Sequence, residues 1–246
     1  MRLAFFGDVH GNLPALDAVL TDIGKAHPDL TVCLGDLVFK GPQGQACVDR
    51  VAELGMPTLQ GNTDRYLLQD PPELVQALQE GGPAADNAQR ALALLQWNRA
   101  GLNERALDFL RRGMEKHRVE TGAGTLLVVH ASPRSDEEAI LPTSSETDLA
   151  AILHGLSDTY IVFGHCHLAF VRTSRGKVLI GTGSVGRPFD GDPRASWALV
   201  DTDGGNARVS LCRSAYDVEA TIRAAREAGL PGLEAYEQGL RAGISS

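Results

Sequence analysis

Arg2-Leu3-Ala4-Phe5-Phe6-Gly7-Asp8-Val9-His10 is the stretch on which the reading of this chain turns. Residues 2–6 form a short apolar run that stops at Gly7-Asp8, the pattern of a buried strand emptying into a loop. A helix is expected next, because Leu16, Val19, Leu20 and Ile23 fall at i, i+3, i+4 and i+7, and Asn12 and Pro14 suit a helix start. The same punctuation then recurs. Residues 31–34 read as a second buried strand stopped by Gly35-Asp36, and residues 56–60 as a third stopped by Gly61-Asn62-Thr63-Asp64, with a helix over 45–54 between them. Strands alternating with helices predict a largely parallel sheet whose strand C-terminal ends share one edge, so Asp8, Asp36 and Asn62 are expected side by side.

Between residue 65 and about residue 113 the pattern changes to helices interrupted by Pro71-Pro72 and Gly81-Gly82-Pro83, with no strand candidate. This reads as a helical insertion of about 66–113 that shapes access to the shared edge, within one domain of 1–246. Strands are expected again at 116–120, 126–130 and 160–163, the last stopped by Gly164-His165-Cys166-His167, with a helix over 147–153. Short runs at 169–173, 178–180, 197–201 and 208–212 follow at hairpin-like spacing and predict a second, more antiparallel sheet. Two facing sheets need helices outside them, and 218–228 and 233–242 supply part of that cover.

Composition narrows the function classes. A net charge of −8 argues against extended nucleic-acid binding and against an anionic membrane surface, so an anionic substrate would need positive charge supplied locally, for instance by bound cations. Cys33, Cys47, Cys166 and Cys212 are scattered without the paired spacing of a zinc ribbon or a disulfide framework, which fits reduced thiols in a cytoplasmic protein. No stretch approaches the ~20 apolar residues that span a bilayer.

The strand ends collect two carboxylates, one amide and four imidazoles: Asp8, His10, Asp36, Asn62, His130, His165 and His167. A mixed oxygen and nitrogen set suits manganese, iron, zinc or cobalt better than magnesium or calcium, and seven donors match two sites sharing a carboxylate. Asp-x-His and Gly-His-x-His place side chains at i and i+2, which in an extended segment point the same way. Taken singly these residues also read blandly: Asp8 and His10 as loop and cap, Gly61-Asn62-Thr63-Asp64 as a capped turn, His130 as a core histidine. Their common position after strands separates the two readings.

These motifs resemble the calcineurin-like metallophosphoesterase superfamily, whose pattern is D-x-H, G-D, G-N-H-[DE], H, then G-H-x-H. Here it stands as Asp8-Val9-His10, Gly35-Asp36, Gly61-Asn62-Thr63-Asp64, His130 and Gly164-His165-Cys166-His167, and Gly183-Ser184-Val185-Gly186-Arg187-Pro188 looks like its compact prokaryotic phosphodiesterase branch. The resemblance implies an α/β fold, a four-layer α-β-β-α sandwich of two mixed sheets with helices on both outer faces. It implies two divalent metal ions, with Asp8, His10 and His167 on the first, Asn62, His130 and His165 on the second, and Asp36 bridging. The implied activity is a metal-dependent phosphoesterase acting on phosphodiester or phosphoanhydride bonds through a metal-bridging hydroxide. A small phosphate-containing substrate, such as a nucleotide, is the expected partner. The alternatives are a phosphomonoesterase or protein phosphatase of the same fold, a single-metal hydrolase, or a non-catalytic metal-binding interaction scaffold.

One position departs from the pattern. Thr63 stands where the family carries the histidine that protonates the leaving oxygen, and a threonine hydroxyl is far too weak an acid for that task. Good leaving groups are therefore expected. Asn12 and Arg187 are candidate phosphate contacts, with a pairing of Arg187 to Asp190 or Asp192 as the competing reading. Asp36, Asn62 and Asp64 are the candidate catalytic set, Asp64 by orienting a ligand or by capping the next helix. Arg65 reads as a helix-surface charge, Cys166 as packing, and Trp97 as core of the insertion in preference to a base-stacking platform.

Overall fold

The computed structural model describes residues 1–245. In chain order the elements are β1 (Arg2–Phe6), α1 (Leu13–Ala26), β2 (Leu30–Cys33), α2 (Gly44–Leu54), α3 (Asn62–Leu68), α4 (Pro72–Glu80), α5 (Pro83–Ala100) and α6 (Glu104–Arg111). They continue as β3 (Lys116–Thr121), β4 (Gly124–Val129), α7 (Glu146–Ile152), β5 (Tyr160–Phe163), β6 (Ala169–Ser174), β7 (Lys177–Thr182), β8 (Ala195–Asp203), β9 (Asn206–Ser214), α8 (Val218–Glu227) and α9 (Leu233–Ala242). No helix among the described residues is long and apolar enough to cross a membrane.

Side-chain alternation builds the layers. Along β1, Leu3 and Phe5 face one way and join Val32, Val128, Val162 and Ile180 between the sheets, while Ala4 and Phe6 face the other way and pack with Leu16, Val19 and Val48 of α1 and α2. The same period divides β4 and β5: Leu126, Val128, Tyr160 and Val162 point inward, and Leu127, Val129, Ile161 and Phe163 pack outward against Leu149, Ile152 and Leu153 of α7 and its C-terminal end. Two sheets thus lie face to face, with helices on both outer sides.

The sheets are mixed, with strand orders β2-β1-β8-β9 and β3-β4-β5-β7-β6. This corrects two expectations. The four late strands do not form a sheet of their own: β6 and β7 pair antiparallel and join β5, whereas β8 and β9 pair antiparallel and join β1. Hairpin spacing is the same wherever a hairpin docks, so it carries no information about its sheet. Residues 56–60 do not form a regular strand either. They make one parallel bridge to each side, Thr58 with Cys33 at the end of β2 and Leu59 with Met114 just before β3.

Helices α3 to α6 occupy the stretch expected to be helical, and the predicted breaks fall where proline and glycine stand: α4 starts at Pro72 and α5 at Pro83 after Gly81 and Gly82. The parallel strands β1, β2, β4 and β5 run so that the loops after their C-terminal ends meet. Phe5 lies fully buried between the sheets beneath that meeting point. Phe5→Ala should lower unfolding free energy by about 3–5 kcal/mol in urea titration, the usual cost of an aromatic cavity in a close-packed core.

Candidate metal centre

The loop after β1 is laddered onto the loop after β2: the N–H groups of Asp8, His10 and Gly11 donate to the carbonyls of Gly35, Asp36 and Leu37 at 3.0, 2.9 and 2.9 Å. Within these loops the backbone is unusual. Asp8, His10, Asp36, His165 and His167 all have positive φ, between 48° and 62°. Non-glycine residues avoid this region, and clusters of such residues mark sites where geometry is held against local preference. The i, i+2 pairs therefore converge through left-handed backbone rather than through an extended segment, which corrects the expectation; in the Asp8 loop the ladder bonds to the Asp36 loop hold the chain in that shape.

The side chains meet at one point. His10 Nε2 and His167 Nε2 lie 3.0 Å apart, and Asp8 Oδ1 lies 3.4 Å from the latter and 4.0 Å from the former. Asp36 Oδ2 sits 3.7 Å from His10 Nε2 and 3.7 Å from His130 Nε2. Asn62 Oδ1 is 3.0 Å from His130 Nε2 and 3.2 Å from His165 Nδ1. The two compact groups are Asp8, His10, His167 and Asp8, Asp36, His130, all buried, and either could hold a metal ion. Asn62 and His165 flank the second group.

Three imidazoles are fixed in a ligating tautomer. Nδ1 of His10, His130 and His167 donates to the carbonyls of Phe39 (3.2 Å), Leu34 (2.8 Å) and Arg187 (2.6 Å), which leaves each Nε2 lone pair facing the centre. Asp8 Oδ1 is buried and has no hydrogen-bond partner among the described residues. Burying such an atom is costly without a counter-charge. The orphaned carboxylate oxygen among inward-facing nitrogens is the chemistry of a divalent-cation site, so the residues present fit the implied ions.

Electrostatics agree with that fit. Burial pushes the Asp8 carboxyl up, but His167, His130 and His10 outweigh it and hold it well below the usual carboxylate range. Burial, with the neighbouring imidazole of His167, drives His10 down, and burial together with His130 lowers His165. Burial also opposes protonation of His130, yet Asp36 and Asp8 raise it.

Asp64 does not enter the centre. Its two oxygens accept from Asp36 N–H (2.7 Å), Leu37 N–H (2.9 Å) and Gly61 N–H (3.1 Å), so it ties the β2 loop to the start of α3. Burial and the charge of Asp36 raise its carboxyl. Thr63 N–H donates to Asp36 Oδ1 at 2.9 Å, which turns Oδ2 toward the imidazoles. Asn12, a candidate phosphate contact, is instead a buried brace. It caps α1 through Ala15 N–H, donates to Gly186 O and Tyr216 OH, and accepts from Thr221 Oγ1, leaving nothing to offer a substrate.

Arg187 is buried beside the centre, its guanidinium 5.5 Å from the Phe189 ring, which itself stacks on His167 at 4.3 Å. Asp190 pairs with Arg213 and Asp192 with Arg194. Arg65 reaches the loop after β4 and pairs with Asp136 at 2.7 Å, and with Glu137, so it is a cross-link rather than a free surface charge. Cys166 packs against the outer-face cluster under α7.

Lys40 was not among the sequence candidates. Phe39 and Lys40 both have positive φ, 73° and 71°, and Lys40 acts electrostatically on His10 while Asp36 and Arg187 act on it. Ser184 was missed too: its hydroxyl donates to Asp8 O (2.7 Å) and accepts from Arg187 N–H (2.8 Å). The Gly35-Asp36 motif signals the first only by proximity, and the Gly183 to Pro188 stretch contains the second.

Residues 1–205 match the model of the Calcineurin-like phosphoesterase superfamily domain. The crystal structure of a metallophosphoesterase from Sphaerobacter thermophilus is 30% identical, covers 99% of both chains and superposes with a TM-score of 0.76. An uncharacterized protein of Methanocaldococcus jannaschii, MJ0912, is 28% identical over 88% of each chain. A symmetrical bis(5'-nucleosyl)-tetraphosphatase of Acidovorax sp. (strain JS42) is 31% identical over 60% of this chain and half of its own length.

Removal of His10 or Asp36 should cost bound metal directly. His10→Ala and Asp36→Asn are expected to bind at least one ion fewer per chain than wild type by plasma mass spectrometry after manganese loading and desalting. A Cβ on Gly164 would lie 2.3 Å from Asp8 Oδ2, so Gly164→Ala should weaken metal binding in calorimetry without removing any ligand.

Proposed function

The chain belongs to the calcineurin-like phosphoesterase superfamily, and from that premise we propose that it hydrolyses phosphodiester or phosphoanhydride bonds of a small substrate with two divalent metal ions. The observation that carries this reading is Asp36 Oδ2, one carboxylate oxygen at 3.7 Å from an imidazole of each half of the centre. Asp8, His10 and His167 would hold one ion, Asn62, His130 and His165 the other, and Asp36 would bridge them. Manganese, iron and zinc suit these donors. When bound, the ions polarise the phosphoryl oxygens and make hydroxide available as a nucleophile near neutral pH.

The chain's own residues do the rest. Asp36 sets the spacing of the two halves, and Asp64 positions Asp36 through its backbone. Arg187, and Lys40 while it is protonated, would supply local positive charge for the substrate's phosphate oxygens on a protein of net charge −8. Thr63 cannot protonate a departing alkoxide, so substrates whose leaving group departs as a stable anion are favoured: anhydrides, aryl diesters and strained cyclic nucleotides. The tetraphosphatase relative makes an anhydride of the nucleotide type the leading natural candidate. Free thiols at all four cysteines fit a reducing, cytoplasmic setting. The whole chain would act as one unit of 1–246, with the 66–113 insertion bordering the substrate path.

A substrate panel with manganese, covering aryl diesters, dinucleoside polyphosphates, cyclic nucleotides and phosphopeptides, tests the reading. Turnover of anhydrides or aryl diesters is expected, and no turnover of any member by metal-loaded protein would sink it. Thr63→His should raise monoester hydrolysis by ~10²-fold or more while raising aryl diester hydrolysis much less.

Burial, with the nearby Arg187 charge, lowers the Lys40 ammonium to about 8, so it is charged below that pH and neutral above it. KM for an anhydride should therefore rise as pH passes about 8. Lys40→Arg should abolish that rise, and Lys40→Met should show a raised KM already at neutral pH.

A further inference from the structure

A cavity of about 550 Å³ lies between the loop that leads into α2 and the last turns of α5, lined by Pro42, Gln43, Gln45, Asp49, Trp97 and Asn98 among others. We propose that this cavity is a nucleobase subsite, with the Trp97 indole as the stacking platform and the Gln43 amide pairing with the edge of the base. The proposal goes beyond the phosphoesterase reading and stands without it, since it concerns a site outside the metal centre.

Trp97 is only half committed to the core. It packs against the cluster of Ile222, Ala225 and Tyr236 contributed by α8 and α9, and it is partly exposed where it lines the cavity. An indole with one open surface in a concave site suits a flat heteroaromatic ring. The volume falls within the range of small-molecule sites and exceeds what a base and its ribose need.

The amides in the lining are not equivalent. Gln45 is spent, with Nε2 donating to Asp49 Oδ2 at 2.9 Å and Oε1 accepting from Asn103 N–H at 2.9 Å. Asn98 Nδ2 donates to Leu94 O at 2.9 Å. Gln43 Oε1, by contrast, is enclosed and has no hydrogen-bond partner among the described residues. An amide carries a donor and an acceptor side by side, the complement of an adenine edge. Gln43 lines the cavity, and pairing with a ligand there would satisfy its unpartnered oxygen.

Charge selects the base over the phosphate. Among the described residues Asp49 is the charged side chain of the lining, and no lysine or arginine lines the cavity, so an anion is repelled while the amino group of a purine is welcomed. The phosphates of a nucleotide would remain outside. The wall also belongs to the metal centre's own scaffold: Gln43 N–H donates to Gly11 O at 2.9 Å, and Gly41 packs so closely on His10 that a Cβ there would lie 1.9 Å from the His10 carbonyl oxygen. Base and scissile phosphate would thus be read from two sides of one loop.

The test uses the whole chain as purified and adenosine, which carries no phosphate, with ribose 5-phosphate as the base-free control. Adenosine should quench tryptophan fluorescence saturably and ribose 5-phosphate should not. Trp197 is buried and bonded to Ser214, so Trp97→Phe should remove the quench, and equilibrium dialysis of labelled adenosine should show affinity falling about tenfold in Gln43→Leu. No saturable binding up to millimolar adenosine, a quench that survives in Trp97→Phe, or equal affinity in Gln43→Leu would overturn the proposal. A larger KM increase for a dinucleoside polyphosphate than for an aryl diester in Gln43→Leu assigns the base to the substrate. An adenosine effect on aryl diester turnover that Gln43→Leu loses assigns it to a separate regulator. Either result supports the subsite, and neither is needed to detect binding if the protein proves not to be a phosphoesterase.

Discussion

Buried donors that repel or orphan one another in the absence of a cation are what the rest of this structure is arranged to hold. Asp8 Oδ1 has no hydrogen-bond partner among the described residues, His10 and His167 turn bare nitrogens toward each other, and Asp36 Oδ2 is shared between two imidazoles. Left alone, such a cluster would cost stability through desolvation and like-group crowding. Each member is fixed from behind: backbone carbonyls take the Nδ1 protons of three histidines, Thr63 N–H donates to the other oxygen of Asp36, and Gly164 leaves room for Asp8. The strain of five left-handed backbones at candidate ligand positions belongs to the same arrangement.

The sandwich supplies the stiffness this requires. Parallel strands from both sheets deliver their following loops to one place, and the core between the sheets, from Leu3 and Phe5 across to Val128, Val162 and Ile180, keeps those strand ends in register. The C-terminal helices contribute from outside the stretch matched by the family. Thr221 of α8 and Tyr216 just before it hold Asn12, and Asn12 in turn holds Gly186 in the loop that carries Arg187. A helix far along the chain thereby steadies a loop beside the candidate metal centre.

Much of the site was legible because its signals are local. An apolar run closed by glycine and a polar residue marks a strand end, and that mark stands before Asp8, Asp36 and His165. The mixed carboxylate, amide and imidazole set at those ends is of a kind that could hold divalent metal ions. The role of Asn12 was not legible, because a side-chain amide near a helix start serves equally as cap or contact until its four partners are known. Lys40 and Ser184 carried no pattern of their own; their proximity to Asp36 and Asp8 is created by loops that pack across long sequence separations.

By itself, then, the order of residues determined where β1, β2 and β5 end, which donors follow them and that two facing sheets must be covered by helices, since side-chain period and chain breaks are properties of short segments. Which sheet each hairpin joins, the left-handed turns that aim the ligands, the braces behind them and the cavity beside Trp97 were decided only by tertiary structure. The physical reason is that hydrogen-bond ladders and buried contacts between distant loops overrule local backbone preference, and no short window of sequence contains both partners.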